Sequence, residues 1–130
     1  MLDQVPLDPI DTALLAAARA EVAHVRVEPA LYQYIVSLIR RTRDWPALSL
    51  GASPRAAIGL FFVARTLAGM EGRDFLIPDD IKAAALPVLR HRVLLKAEAD
   101  MEGLTADQVI RQVLESVPVP RVMEPDIASK

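Results

Sequence analysis

Ser53-Pro54-Arg55 is the stretch whose residue types and spacing could do chemistry. Serine is a favoured N-cap, its side-chain oxygen accepting a hydrogen bond from an otherwise unpaired amide, and proline fits the first helical position. Arg55 then falls in the first turn, where the helix dipole is positive and a lone cation is disfavoured. A cation there makes sense when an anion shares the site. Free amides at a helix start and a guanidinium fork together suit phosphate. The residues alone leave Arg55 open between such a site and an ordinary surface arginine.

Other candidates have plainer readings. Arg40, Arg41 and Arg43 could hold a phosphate or an acidic partner, yet cations are favourable at a helix C-terminus, and a solvated helix end explains them. Asp79-Asp80 could be a catalytic acid pair, but Pro78-Asp79-Asp80 reads more simply as a helix start. His24 and His91 lie far apart, in no metal-ligand spacing, and read as surface or capping groups. Glu98 to Gly103 resembles the start of a calcium loop. Its twelfth position would be Val109, where a bidentate glutamate is needed, so the loop is rejected. No G-x-x-x-x-G-K-[ST] loop and no Ser-His-Asp set occurs.

Bulk properties narrow the class. The chain has 130 residues and a net charge of -2, which gives no general electrostatic grip on nucleic acid. It is 52% hydrophobic but only 5% aromatic, a balance that points to closely packed helices built from small aliphatic residues. The absence of cysteine removes disulfides, thiolate catalysis and cysteine zinc sites, and it fits a cytoplasmic setting. No apolar run approaches the roughly 20 residues of a membrane span, and Met1-Leu2-Asp3-Gln4 does not open a signal peptide.

The elements that position these residues read as helices. Residues 1–10 form an extended lead-in. A first helix starts near Asp11, with a narrow stripe of Leu15, Ala18 and Val22. His24 to Val27 alternates, as a short strand or an extended link. A second helix begins at Pro29, presents Leu31, Ile35, Leu38 and Ile39, and stops at Trp45-Pro46. The third runs from Pro54 to about Met70. Past Ala56 its only charge is Arg65, so it reads as a hub surrounded by protein. Gly59 and Gly69 would allow close helix approach or mark fraying. Glu71 to Asp74 is a turn and Phe75 to Ile77 an apolar link. A fourth helix opens at Pro78, buries Ile81, Ala84, Ala85 and Val88, and should kink or end early at Pro87. Arg92 to Leu95 leaves it as a short strand. Thr105 and Gln108 match a capping box, and Ile110, Val113, Leu114 and Val117 line a fifth helix. The expected fold is mainly all-α: a bundle of four to five helices around a buried central one. A minor two-stranded β element could join Arg26-Val27 and Leu94-Leu95. The helical domain spans 11–117, and 118–130 is a proline-rich tail expected to be mobile.

Several short motifs follow one another in order: Thr42-Arg43; Leu50-Gly51-Ala52-Ser53-Pro54-Arg55-Ala56; Ala64-Arg65; Gly72-Arg73-Asp74-Phe75 with Pro78-Asp79-Asp80-Ile81; and Val88-Leu89-Arg90-His91-Arg92. This series resembles the C-terminal lid of MoxR-type AAA+ ATPases, over about residues 11 to 120. The resemblance implies a helical subdomain that follows an α/β nucleotide-binding core, with ATP lying between core and lid. It implies that Arg55 is the sensor-2 residue reaching the γ-phosphate, with Ser53 and Pro54 setting the helix entry that aims it. ATP, with magnesium, would be bound mainly by the core.

The partners implied are that core, neighbouring subunits of a ring, commonly a hexamer, and a protein remodelled in a chaperone-like way. Walker A, Walker B, the first sensor and the arginine finger are missing. The sequence therefore reads as a piece of a longer ATPase, or as a stand-alone lid, and no hydrolysis is expected from it alone. Two other readings compete. One is a helical protein-interaction module that uses Arg40, Arg41 and Arg43. The other is a DNA-binding helical domain of winged or helix-turn-helix type, which the acidic balance and the apolar third helix disfavour.

Overall fold

The computed structural model describes residues 6–121. Helix α1 (Thr12–Ala23) is started by Asp11, whose carboxylate accepts the Ala13 N–H at 2.9 Å. Helix α2 (Pro29–Arg43) has proline at its first position and its basic residues in its last turn. Strand β1 (Leu48–Leu50) leads into helix α3 (Pro54–Met70). Helix α4 (Pro78–Leu89) follows the turn that contains Gly72. Strand β2 (Leu94–Leu95), the one-turn helix α5 (Ala97–Met101) and helix α6 (Ala106–Ser116) complete the described residues. Thr105 and Gln108 form the capping box that the sequence predicts, with bonds of 3.2 and 2.9 Å.

The predicted helices are all present. The fold is mainly helical, with α5 as an unforeseen addition. Helix α4 continues through the exposed Pro87 and ends two residues later. Residues 1–5 and 122–130 lie outside the described residues, so the lead-in and the tail are seen only in part.

Helix α3 is the central element, packing on α1, α2 and α4. Its burial is a single seam: Ala56, Leu60, Ala64 and Ala68 are wholly inaccessible to solvent. Three alanines in that seam let α4 approach closely with Ile81, Ala84 and Ala85. Here the structure corrects the expectation of a helix surrounded on all sides. Ile58, Phe62, Val63 and Met70 on its outer face remain exposed.

Helix α1 cannot cover that face, since it contributes no buried residue. Leu15 and Ala18 of its expected stripe are exposed. It is held at its C-terminal end, where Arg65 donates to the Val22 carbonyl at 3.0 Å and Val22 packs over Gly69.

The small sheet uses the expected Leu94-Leu95 as one strand, but its partner is Leu48–Leu50 and not Arg26-Val27. Strand β1 pairs antiparallel with β2, Leu48 opposite Leu95 and Leu50 opposite Leu94. Arg26 instead makes an isolated parallel bridge to Phe75. Leu48 is buried while Ser49 and Leu50 are exposed, so three residues between a proline and a glycine carry no strand alternation.

Candidate functional site

The approach to α3 is fixed from below by Thr42. This threonine is fully buried in the last turn of α2. Its hydroxyl donates to the Ile39 carbonyl at 2.6 Å and accepts the Ala52 N–H at 3.0 Å. Gly51 lies so close to α2 that a Cβ there would sit 2.5 Å from both Arg43 Cα and the Thr42 carbonyl oxygen. Only glycine fits this backbone-on-backbone contact. Ala52 and Ala56, on either side of Ser53-Pro54-Arg55, are buried, so the three residues between them are held at the surface.

Ser53 is the N-cap residue by backbone geometry, with φ -86° and ψ 168°. Its side chain makes no capping hydrogen bond, contrary to the sequence expectation. The Ala56 N–H is instead taken by the Ser53 carbonyl at 2.9 Å, which leaves the hydroxyl unengaged. Pro54 occupies the first position and has no N–H to satisfy.

Arg55 is exposed, and among the described residues it has neither an ion pair nor a side-chain hydrogen bond. It borders an open depression lined by Ser53, Arg55, Ile58, Gly59 and Arg92. That lining has two guanidiniums and no carboxylate. Arg92 reaches over α3 at Gly59, its Nη1 3.4 Å from where a glycine-to-alanine Cβ would stand.

The other candidates separate into different places. Asp80 is buried and accepts from both Arg73 guanidinium nitrogens at 2.6 Å and from the Ile77 N–H at 3.0 Å. The Asp80 hydrogen bonds hold the Arg73 guanidinium above the usual arginine range. Asp80 therefore locks the α3–α4 turn, while Asp79 is exposed, and the pair is not an acid–base couple.

Arg41 lies over the Trp45 ring at 5.5 Å and donates to Ser116 Oγ at 3.4 Å, while Arg40 and Arg43 point into solvent. His24 and His91 are exposed. Among the described residues the buried Tyr34 hydroxyl has no hydrogen-bond partner, and burial followed by the charge of Asp79 pushes its pKa up. Among the described residues no cluster of three His, Asp or Glu side chains could hold a metal ion, and no helix is long and apolar enough to cross a membrane.

Sequence reading missed the roles of Thr42, Arg73 and Arg92. Spacing alone could have paired Arg73 with Asp80, an arginine just before a proline-led helix whose third residue is an acid. Arg92 could not be placed, because only the long-range pairing of Leu50 with Leu94 brings it to Arg55.

Known proteins resemble this chain in sequence and fold. Residues 40–113 match the model of the AAA lid domain. An uncharacterised protein, YeaC, of Bacillus subtilis is 40% identical over 100 residues, covering 77% of this chain and 31% of its own length. The chaperone MoxR1 of Mycobacterium tuberculosis is 37% identical over 105 residues, covering 74% of this chain and 28% of its own length. The crystal structure of a Cytophaga hutchinsonii protein to which an ATPase function is ascribed superimposes with a TM-score of 0.75 at 35% identity, over 79% of this chain and 34% of that one. The chain thus spans about a third of the length of the relatives it matches. A helical body with a small sheet, a matching family model over more than half its residues, and MoxR relatives over most of its length have one meaning: the chain belongs to the AAA lid domain family, as a lid of the MoxR type.

Proposed function

We propose that this lid closes over a nucleotide held by an AAA+ core and that Arg55 is its sensor-2 residue. The observation that carries this reading is a guanidinium without an acidic partner among the described residues, exposed at the N-terminal end of α3. The depression beside it suits a phosphate: two cations, a free serine hydroxyl and the positive end of a helix dipole, with no carboxylate to repel the anion. It does not suit magnesium, which takes oxygen ligands such as carboxylates, and that ion falls to the core.

ATP in that position supplies a terminal phosphate whose negative charge must be stabilised during transfer. Arg55 would hold that phosphate through its guanidinium N–H donors, a planar fork that lysine lacks. Pro54 fixes the helix entry, and Thr42 with Gly51 sets the height of the loop, so the backbone that carries the fork is in place before the nucleotide arrives. Contact with the terminal phosphate then couples nucleotide state to rigid-body movement of the lid, and through it to remodelling of a protein partner within a ring of subunits in the cytoplasm.

The test is Arg55→Ala in the ATPase formed by this chain and its nucleotide-binding core. Turnover should fall by at least about tenfold with the fold intact. Wild-type turnover together with unchanged nucleotide-dependent oligomerisation would reject the assignment.

A further inference from the structure

We infer that Arg92 is a second phosphate-contacting residue, acting with Arg55 to select a nucleoside triphosphate over a diphosphate. The inference rests on the proposed lid function and assigns a new residue to it. Four observations converge.

Arg55 and Arg92 border one depression, and neither has an acidic partner among the described residues. Two like charges gathered without a counter-ion repel each other, and an anion with more than one negative charge removes that cost. The chain also treats neighbouring arginines differently. Arg90, two residues away, is held by both oxygens of Asp107 at 3.1 and 3.0 Å, whereas Arg92 is left free to turn toward α3.

Gly59 lies beneath it. This residue lies one helical turn beyond Arg55 on the same face, and the Arg92 guanidinium rests over it. Finally, the sheet sets the spacing. Strand β1 runs directly into Gly51-Ala52-Ser53-Pro54-Arg55, and β2 begins two residues after Arg92. Pairing of Leu50 with Leu94 ties together the two segments that carry the cations.

Both guanidiniums are long, planar donors on one open rim, so they can grip one phosphate group from two sides. A diphosphate lacks the outermost group that such a grip would reach. Affinity for ATP should therefore depend on Arg92 and affinity for ADP should not.

The experiment measures equilibrium binding of a non-hydrolysable ATP analogue, of ADP and of inorganic phosphate to the ATPase assembled from this chain and its core. Wild type is compared with Arg55→Ala, Arg92→Gln and Arg92→Lys, with thermal melting of each. Arg92→Gln keeps much of the stem and removes the charge. It should weaken the ATP analogue by about tenfold and leave ADP within about twofold.

Arg92→Lys should recover part of the loss, and a double variant with Arg55→Ala should lose less than the product of the two single effects. If Arg55→Ala lowers the ratio of ATP to ADP affinity and Arg92→Gln does not, Arg92 has no such role and the lid reading stands. If neither variant moves the ratio, both fall. Equal weakening of ATP and ADP by Arg92→Gln, or a loss that tracks a lowered melting temperature to the same extent in Arg92→Gln and Arg92→Lys, also overturns the selection of triphosphate. Inorganic phosphate bound as tightly as the ATP analogue would do the same.

Discussion

The two ends of α3 handle arginine in opposite ways. At its C-terminal end Arg73 is gripped by a buried carboxylate through two short hydrogen bonds, and the turn into α4 is closed around that pair. At its N-terminal end Arg55 and Arg92 stand at the surface with no acid beside them among the described residues. The same side chain is an internal brace in one place and an unfilled valence in the other. What distinguishes them is the partner. A cation whose carboxylate lies within its own fold is spent on stability, and one without it is available to a ligand.

Substitutions at the two ends should break in different currencies, stability at one and ligand binding at the other. The largest stability effect belongs to the braced end. Asp80→Ala strands the part-buried Arg73 and frees the Ile77 N–H, and chemical denaturation should show a loss of about 3 kcal/mol. Next comes the support beneath the open end. Gly51→Ala drives a methyl into α2 backbone that cannot move aside, at about 2 kcal/mol by the same measurement. Thr42→Val leaves the Ala52 N–H buried without an acceptor, for about 1.5 kcal/mol.

Tyr34 tests whether lacking a partner matters by itself, since its orphan hydroxyl is inside the protein. Its raised pKa means the folded state holds the phenol proton more tightly than the unfolded chain. The fold should thus be at full strength below the ordinary value of 10.0 and weaken as pH rises past it. Tyr34→Phe should flatten that alkaline limb and stabilise the protein by up to about 1 kcal/mol at neutral pH. The smallest effect is at the open end itself: Arg55→Ala should change stability by no more than about 0.5 kcal/mol. A large loss there would mean that Arg55 is a brace too, and the contrast between the ends would disappear.

Local signals carried most of the fold. Pro29, Pro54 and Pro78 mark helix starts because their missing N–H is harmless there, and Thr105 with Gln108 announces a helix through bonds that span one turn. Helix α5 was hidden because one turn has no periodicity to read, and the sheet because it joins segments more than 40 residues apart. The outer face of α3 was misjudged for a related reason. Apolar composition shows what could be buried, whereas the covering must come from other elements, and α1 buries no residue of its own.

Around the candidate site, Arg55 stood out because its charge opposes the dipole of its own helix. Ser53 was placed correctly as the first capping position, but its hydroxyl had a competitor in its own carbonyl that no pattern reveals. Arg92 depends on chain reversal and strand register, which sequence spacing does not express.

The length of α3 has a mechanical meaning. Its 17 residues make a lever arm about 25 Å long, so a tilt of about 10° pivoted near Met70 swings the Arg55 end by roughly 4 Å. That stroke exceeds the reach of any hydrogen bond. Under the proposed function, a grip between this end of the rod and an object fixed on another body would be made or lost outright, and a modest angular change would act as a two-position latch.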